Sequence, residues 1–313
     1  MKKPELVVIG HLSIDHVKNK WGENVQPGGA ALYTSLGAKV LMDEVRIVSV
    51  VGKDYGYLDL VYSNFPGSII RRVNLPSTFF KISYDEKFKA KYEDVKLGAG
   101  ALLRVDDLPS HLIKKENLFH IAPLSPKKAE RFIDKIKSRF SSIWVSMTTS
   151  PDYIEKSGNR KILRRLMNKV DLFVVNDYEA VALAEAESLI SAVNSLKAKR
   201  LAVTLGPIGA ILVENGKIQM IPALSGLTLN PKDTTGAGDT WCGCLLASYI
   251  KTGDWTKSVV SACLISAIKC LGWGFEKIKK LRFRNPDDIV IHVLNLSQNA
   301  GQLTLEEFLS RDV

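Results

Sequence analysis

The chain has 313 residues, of which 46% are hydrophobic and 24% are charged, a composition typical of a globular protein with a large core. Its formal net charge of +10 indicates anionic partners, either nucleic acid or a phosphorylated small molecule. Because no apolar run has the length of a membrane span or a signal peptide, we expect a cytoplasmic protein without a membrane partner.

Short apolar runs alternate with helix-length segments along most of the chain. The runs that are rich in β-branched residues and nearly free of charge are 6–12, 45–52, 117–124, 142–147, 170–176 and 200–206. Helical periodicity marks 125–140, 152–170 and 177–199. Such runs are typical of strands buried on both faces of a parallel sheet. The alternation therefore predicts an α/β protein with a mostly parallel central sheet and helices on both faces.

Two stretches interrupt this rhythm with period-two alternation of apolar and polar residues, at 13–35 and 77–100. We interpret them as a small antiparallel sheet that lies over the main sheet as a lid. The lid would consist of about 12–35 and 77–100 within a single domain of residues 1–313. An antiparallel edge of the main sheet is the alternative interpretation.

The C-terminal region is apolar and contains all four cysteines, at positions 242, 244, 263 and 270. Their spacing does not match that of a zinc or redox site, so we expect buried thiols. Beyond residue 285 the pattern predicts a strand, a polar turn and a short helix that starts at Thr304.

The segment NPKDTTGAGDTW, residues 230–241, precedes an apolar helical pattern. Small residues let a backbone approach a ligand closely, and free N–H groups at a helix start bind anions. The loop at Gly236, Ala237 and Gly238 meets both conditions. Asp239 beside it is placed to accept the proton of a hydroxyl that attacks a phosphoryl group. A plain helix cap is the alternative role for Asp239.

Several motifs in this chain resemble those of the ribokinase/PfkB family of sugar and nucleoside kinases. DTTGAGD resembles the C-terminal motif of that family. VVIGHLSIDHV, with Asp15, and PGGAALYTSLGAKV, with Gly28 and Gly29, resemble its N-terminal elements. VVNDYEA resembles its Asn-x-x-Glu motif at Asn176 and Glu179, and VTLGPIGAILV resembles its nucleotide-contacting strand and turn. These segments occur in the family's order and cover nearly the whole chain.

The resemblance implies a ribokinase-like three-layer α/β sandwich with a β lid, and an ATP- and Mg²⁺-dependent phosphotransferase with an alcohol group as acceptor. It assigns Asp239 as the catalytic base and the amides of Gly236, Ala237 and Gly238 as the anion hole. Asp233 lies where some members of the family bind a monovalent cation.

On the nucleotide side, the resemblance implies that Asn176 and Glu179 organise Mg²⁺, through water, and the nucleotide phosphates. Thr204 and Gly206 would contact the nucleotide. Other roles are open for these residues. Asn176 could cap the following helix, with Glu179 completing a capping box. The Gly206–Pro207 pair is also an ordinary turn signal.

On the acceptor side, the resemblance implies that Asp15, Gly28 and Gly29 hold substrate hydroxyls, and that Tyr33 and Thr235 line the same site. Tyr33 would supply part of a flat wall and one hydrogen bond. The alternative for Asp15 is a hydrogen bond to local backbone.

The positions at which this chain departs from the family pattern indicate the class of acceptor. Ribose-preferring members carry a basic residue and an asparagine where this chain has Ala30 and Tyr33. The GGAALYTS segment resembles the inositol-kinase branch more than the ribokinase branch. We therefore expect a neutral sugar or polyol, with myo-inositol as the leading candidate. A nucleoside is the alternative, because Phe79, Phe80 or Trp21 could provide a second flat pocket.

Two rivals from other classes remain. A basic nucleic-acid-binding protein would explain the charge but gives no reason for DTTGAGD. A dinucleotide-dependent oxidoreductase is disfavoured because the first strand–helix turn lacks the glycine fingerprint. We expect a nucleotide and a small sugar, polyol or nucleoside as partners and no specific nucleic acid. The chain would be a monomer or a homodimer through the lid.

Overall fold

The computed structural model of the chain describes residues 3–86, 88–223 and 231–301. Within these ranges the strands are β1 (Leu6–Ile9), β2 (Ser13–Asn19), β3 (Gly22–Gly28), β4 (Val45–Gly52), β5 (Ile69–Val73), β6 (Thr78–Tyr84), β7 (Ala90–Lys96), β8 (Leu118–Ile121), β9 (Trp144–Thr148), β10 (Leu172–Asn176), β11 (Arg200–Thr204), β12 (Gly209–Glu214) and β13 (Lys217–Pro222). The helices are α1 (Ala30–Lys39), α2 (Leu58–Asn64), α3 (Pro126–Arg139), α4 (Pro151–Ile154), α5 (Ser157–Lys169), α6 (Asp177–Ala184), α7 (Leu189–Ser195), α8 (Ala237–Thr252), α9 (Trp255–Cys270) and α10 (Pro286–Gly301).

Among the described residues, the main sheet has nine strands in the order β13-β12-β11-β10-β9-β8-β1-β4-β5. All neighbouring strands from β11 to β5 pair in parallel. At the other edge, β12 pairs antiparallel with both β11 and β13. The predicted α/β fold with a mostly parallel central sheet is confirmed, and all six predicted runs are strands of this sheet. After β1 the chain adds β4 and β5 on one side of it, and then β8 and the following strands on the other side, so the strand order reverses at β1. Ligands bind at the carboxyl ends of strands at such a switch point.

Helices cover both faces of the main sheet, as β1 illustrates. Leu6 and Val8 point into a core shared with α1, α8 and α9. Val7 and Ile9 point into a second core shared with α3, α5 and α6. Successive side chains of a strand alternate between faces, so a strand that is apolar throughout requires a helical layer on each side. None of the described helices is both long and apolar enough to cross a bilayer.

The two interrupting stretches form a separate small sheet in the order β3-β2-β6-β7. It is mixed rather than antiparallel as predicted, because β2 and β6 pair in parallel. The chain passes through β4 and β5 between these strands, so no hairpin forces them into opposite directions. The predicted segment 12–35 also extends too far, since α1 begins at Ala30.

The prediction of a strand after residue 285 is wrong, since Pro286–Gly301 is helix α10. Asn285 and Asp288 exchange the hydrogen bonds of a capping box, at 3.1 and 3.3 Å, and proline occupies the first helical position. Ile289 and Val293, four residues apart, are buried on one face. The helix predicted from Thr304 lies outside the described residues. The cysteines are free thiols, and all but the half-buried Cys263 are buried.

Candidate active site

The loop before α8 is fixed by Asp233, whose side chain is fully buried. One carboxylate oxygen accepts from the Thr235 amide at 2.8 Å. The other accepts from Gln26 Nε2 at 3.0 Å and from the Gly274 amide at 2.8 Å. Three donors from three segments therefore hold one carboxylate, which ties the loop to β3 and to the chain that follows α9.

Gly236 sits at the tip of this loop with φ of +71°, in the left-handed region that glycine tolerates best. A Cβ atom at this position would overlap the ring of Tyr33. The tip therefore packs its backbone directly on an aromatic ring, and α8 begins at the next residue.

The three amides predicted to form an anion hole differ in their hydrogen bonding. The amides of Gly236 and Gly238 donate to no acceptor within the described part of the chain. The Ala237 amide departs from the prediction, because it donates to the Thr234 carbonyl oxygen at 3.1 Å. A Cβ at Gly238 would meet nothing within 4 Å, so space for a ligand lies beside the free amides.

Asp239 lies in the first turn of α8 and is half-buried. The cap position of this helix is Gly236, with no side-chain cap, so the alternative role of Asp239 as a helix cap is not observed. Burial raises its pKa to about 6, and the positive charge of Lys269 opposes the rise. A carboxylate with a pKa near neutrality is suited to accept a proton at physiological pH.

Asp15, on β2, is 2% exposed and accepts a hydrogen bond from Ser13 Oγ at 2.6 Å. Burial raises its pKa to about 7, the charges of Asp233 and Asp239 add to the rise, and hydrogen bonds from Ser13 and the Gly29 amide oppose it. The alternative prediction was a bond to local backbone. The nearby donor, Ser13, bonds through its side chain, and the backbone donor is the amide of Gly29, the residue before α1.

The glycine pair makes the space that Asp15 occupies. A Cβ at Gly28 would overlap the carboxylate of Asp15, and Gly29, with φ of +96°, faces the His11 carbonyl oxygen closely. Both glycines precede α1 directly. The start of α8 lies beside α1 as well, since a Cβ at Gly236 would overlap the ring of Tyr33.

One face of the small sheet is turned toward the loop. The register pairs Asp15 with Phe80, and Ile82 with Tyr92, so these side chains share a face. The rings of Phe80 and Tyr92 lie 6.0 Å apart at a steep angle. Tyr92 is 59% exposed. Desolvation, then the charges of Asp239 and Asp15, raise the pKa of its hydroxyl.

Thr235, the remaining acceptor-side prediction on the loop, is buried, and its Oγ1 lies 3.0 Å from the hydroxyl of Tyr84. Neither Tyr84 nor Tyr92 was predicted as a site residue. The alternation along 77–100 could have indicated both, since it places them on the same face as Phe80. Of the other two aromatic candidates, Phe79 lies under Lys96, and Trp21 donates from Nε1 to the Pro231 carbonyl oxygen at 2.9 Å.

Tyr33 does not line the cleft as predicted. It belongs to α1 and is 1% exposed. Its hydroxyl accepts a hydrogen bond from Gln26 Nε2 at 3.1 Å, and its ring meets Phe275 edge-on at 6.4 Å. Its buried ring lies against Gly236 and so supports the tip of the loop.

Asn176 and Glu179 form a capping box at the start of α6, as the alternative interpretation predicted. Asn176 Oδ1 accepts from the Glu179 amide at 2.7 Å, and Glu179 Oε2 accepts from the Asn176 amide at 3.0 Å. Burial raises the pKa of Glu179 to about 7, and the charge of Asp239 contributes. No described residue donates a hydrogen bond to its second carboxylate oxygen, Oε1. A carboxylate whose charge is disfavoured by burial and by a neighbouring carboxylate fits a Mg²⁺ ion bound through water.

Thr204 and Gly206 follow at the end of the neighbouring strand. Thr204 pairs with Asn176 across β10 and β11, so both lie at the same edge of the sheet. Gly206, with φ of +56°, opens a short 3₁₀ turn, and a Cβ there would meet nothing within 4 Å. The turn predicted as the alternative is present, and it leaves open space beside it.

The oxygens of Asp233 do not fit a monovalent cation. Lys269 Nζ donates to the Asp233 carbonyl oxygen at 2.7 Å and lies 3.7 Å from its carboxylate. Both carboxylate oxygens already accept from amide donors. Lys269 is fully buried. Sequence reasoning missed it, although a single charge within the apolar SACLISAIKC segment of α9 was a signal, since buried lysines are rare without a partner.

Comparison with known proteins identifies the family of the chain. The sequence model of the family described as pfkB family carbohydrate kinase matches residues 103–275. The chain is 28% identical to a cytidine kinase of Thermococcus kodakarensis over 78% of this chain and 88% of that protein. It is 26% identical to a deoxyribokinase of Salmonella typhi over 80% and 83%. The nucleoside kinase of Burkholderia thailandensis, solved with inosine, superposes with a TM-score of 0.75 at 18% identity, covering 93% of this chain and 97% of that one.

Proposed function

Because the chain belongs to the pfkB family of carbohydrate kinases, we propose that it transfers the γ-phosphoryl group of ATP to a hydroxyl of a small neutral acceptor bound between the small sheet and the loop before α8. Phosphotransfer from ATP to a hydroxyl is the activity of this family. The residues that perform it here, and the acceptor, are the proposed part. The observation that carries the assignment is the half-buried Asp239 beside two unpartnered amides.

Asp239 accepts the proton of the attacking hydroxyl. The Gly236 and Gly238 amides stabilise the charge that develops on the transferring group, aided by the start of α8. Mg²⁺ held near Asn176 and Glu179, through water, neutralises phosphate charge when it is bound. Thr204 and Gly206 border the nucleotide at the same sheet edge. The small sheet acts as a lid that excludes water from this cleft.

The acceptor site combines a carboxylate with aromatic side chains. Asp15 accepts hydrogen bonds from adjacent hydroxyls, as a furanose or a polyol ring offers. Phe80 and Tyr92 on the same face provide a surface on which a base can stack. A nucleoside therefore becomes the first candidate, which agrees with the cytidine kinase among the relatives. Myo-inositol is the second candidate, and the burial of Tyr33 removes one of the contacts expected for it.

A phosphorylated sugar is disfavoured by the lysines of the small sheet. Lys18 pairs with Glu23 at 2.7 Å, and Lys20 lies over the ring of Trp21 at 5.1 Å. Both are directed along the sheet surface. A phosphate group would require them to be released from these contacts, at some loss of binding free energy.

The test is Asp239→Asn, with kcat and KM measured for cytidine, inosine, ribose, myo-inositol and fructose 6-phosphate. We expect the wild type to prefer a nucleoside, and the variant to keep its melting temperature and nucleotide affinity while kcat falls about 10²–10⁴-fold. The matched control is Asp106→Asn, at a position that is 74% exposed. Near wild-type turnover of the Asp239 variant would refute the assignment. A tenfold preference for the phosphosugar, about 1.4 kcal/mol, would refute the neutral acceptor.

A further inference from the structure

Lys269 is a buried lysine that no step of the proposed phosphotransfer uses. Burial lowers the pKa of its ammonium group, and the charge of Asp233 and its hydrogen bond oppose the change. Lys269 lies in the last turn of α9 with 0% exposure. Its ammonium group faces the Asp233 carbonyl oxygen at 2.7 Å, the Asp233 carboxylate at 3.7 Å and the ring of Tyr33 at 5.4 Å from the centroid. An oxygen pair and an aromatic face are the partners that stabilise a desolvated cation.

These partners are the elements that shape the anion-hole loop. Asp233 begins the loop, and Tyr33 supports its tip at Gly236. The chain after Lys269 holds the same loop again, because the Cys270 carbonyl oxygen accepts from the Lys232 and Asp233 amides at 2.7 and 3.2 Å. The side chain of Lys269 thus connects α9 with the loop and with α1. Its charge also acts on Asp239, whose pKa it lowers.

We propose that Lys269 is a built-in cation, which takes the place of a bound monovalent ion at Asp233, positions the anion-hole loop and makes the enzyme independent of K⁺ and Na⁺. The carbonyl and carboxylate oxygens that such an ion would need are already paired with Lys269, Gln26, Thr235 and Gly274. A second cation would have to displace an ammonium group held on its own chain, whose effective concentration is far above that of a salt. Lys269 is a positioning residue, since it acts through Asp233 and Tyr33.

The first measurement uses the wild type in KCl, NaCl and tetramethylammonium chloride at equal ionic strength. We expect kcat and the melting temperature to agree among the three salts, with kcat within twofold. A saturable stimulation by K⁺ of fivefold or more would overturn the proposal, whatever the variants do.

The second measurement uses Lys269→Ala, which removes the charge and leaves room beside Asp233. We expect kcat to fall at least tenfold with a smaller change in KM for ATP, because the loop loses its order rather than its nucleotide contacts. K⁺, ammonium or methylammonium should restore kcat at least fivefold, whereas the bulky tetramethylammonium should not. Lys269→Met, which fills the space, should lose activity without rescue. The control is Lys257→Ala on the same helix, whose side chain is 49% exposed and pairs with Asp287.

The inference rests on the proposed function only for its kinetic readout. Binding of K⁺ to the folded protein raises its melting temperature by linkage. We therefore expect K⁺ to raise the melting temperature of Lys269→Ala above the value in tetramethylammonium, with no such difference in the wild type. This holds even if no acceptor in the panel is phosphorylated. Wild-type kcat in Lys269→Met, or a K⁺-dependent melting temperature in the wild type, would overturn the proposal.

Discussion

Three carboxyl groups in the cleft have raised pKa values, to about 7 for Asp15 and Glu179 and about 6 for Asp239. Burial is the largest cause in each case, and like charges add to it for Asp15 and Glu179. Functional sites commonly hold groups in such environments at a cost in stability. A Mg²⁺ ion bound near Glu179 would offset part of this cost, because it favours the ionised form of the carboxyl group.

Asp15 allows this cost to be measured. Its pKa in the folded protein, about 7, lies above the ordinary value of 3.8. The folded state therefore retains a proton that the unfolded state has lost between those pH values, and stability falls as pH rises through that window. Asp15→Asn does not titrate. We expect its free energy of unfolding, relative to wild type, to rise by on the order of 4 kcal/mol between pH 4 and pH 8, at 1.36 kcal/mol per unit.

Urea denaturation of both proteins at half-unit pH intervals measures the difference. Asp106→Asn, at the exposed position used above, should follow the wild type at every pH. A pH-independent difference for Asp15→Asn would mean that Asp15 stays ionised in the folded protein, stabilised by Ser13 and Gly29 more than burial destabilises it.

At the scale of elements, α1 and α8 bring the two halves of the site together. A Cβ at Gly37 would overlap the Thr240 carbonyl oxygen, and one at Gly243 would overlap that of Thr34. The backbones of the two helices are thus in direct contact. Because α1 starts after Gly29 and α8 after Gly236, this close packing fixes the starts of the two helices relative to each other, and the proposed acceptor and anion-binding residues lie at these positive helix ends.

Substitution of two glycines at opposite ends of α8 distinguishes the effect of backbone strain on stability from the effect of packing. Gly236 and Gly253 have φ of +71° and +65°, but only Gly236 has a neighbour where a Cβ would lie. We expect Gly253→Ala to lower the free energy of unfolding by about 1–2 kcal/mol, the strain of the left-handed region alone. Gly236→Ala should lower it further and reduce kcat at least tenfold, because Tyr33 must move. Chemical denaturation and initial rates test both, and equal effects of the two changes would contradict the packing argument.

The sequence predicted the elements that are apolar on both faces and missed those with mixed composition. The six buried strands were evident because short runs rich in β-branched residues, alternating with helical segments, are typical of a parallel sheet buried on both faces. The edge strand β5 was missed because Arg71 and Arg72 interrupt its apolar pattern. Helix α10 was taken for a strand because its β-branched residues outweighed the NPDD start. The supporting roles of Tyr33 and Lys269 depend on three segments distant in sequence, which no local pattern specifies.

At the scale of the whole molecule, the net charge of +10 is the remaining argument for nucleic acid. The basic runs on α5 are largely paired on the surface. Arg160 and Arg164 share Glu185 at 2.8 and 2.7 Å, while Arg165 and Lys169 share Glu130 at 2.9 and 3.2 Å. The carboxylates of Glu130 and Glu185 offset part of the positive charge on this surface, which weakens its attraction for a phosphate backbone.

We therefore expect duplex DNA to bind weakly and without sequence preference. The dissociation constant at 150 mM salt should lie in the non-specific range of about 10⁻⁴–10⁻⁶ M, and binding should fall steeply as salt rises. Fluorescence anisotropy with two unrelated duplexes, each from 50 to 300 mM KCl, measures both properties. ATP should not compete at 150 mM salt, because we expect the duplex to bind basic side chains on the surface and not the proposed nucleotide site. Sequence-dependent binding tighter than about 10⁻⁸ M would instead indicate a dedicated nucleic-acid surface, and the kinase would then be one of two functions of the chain.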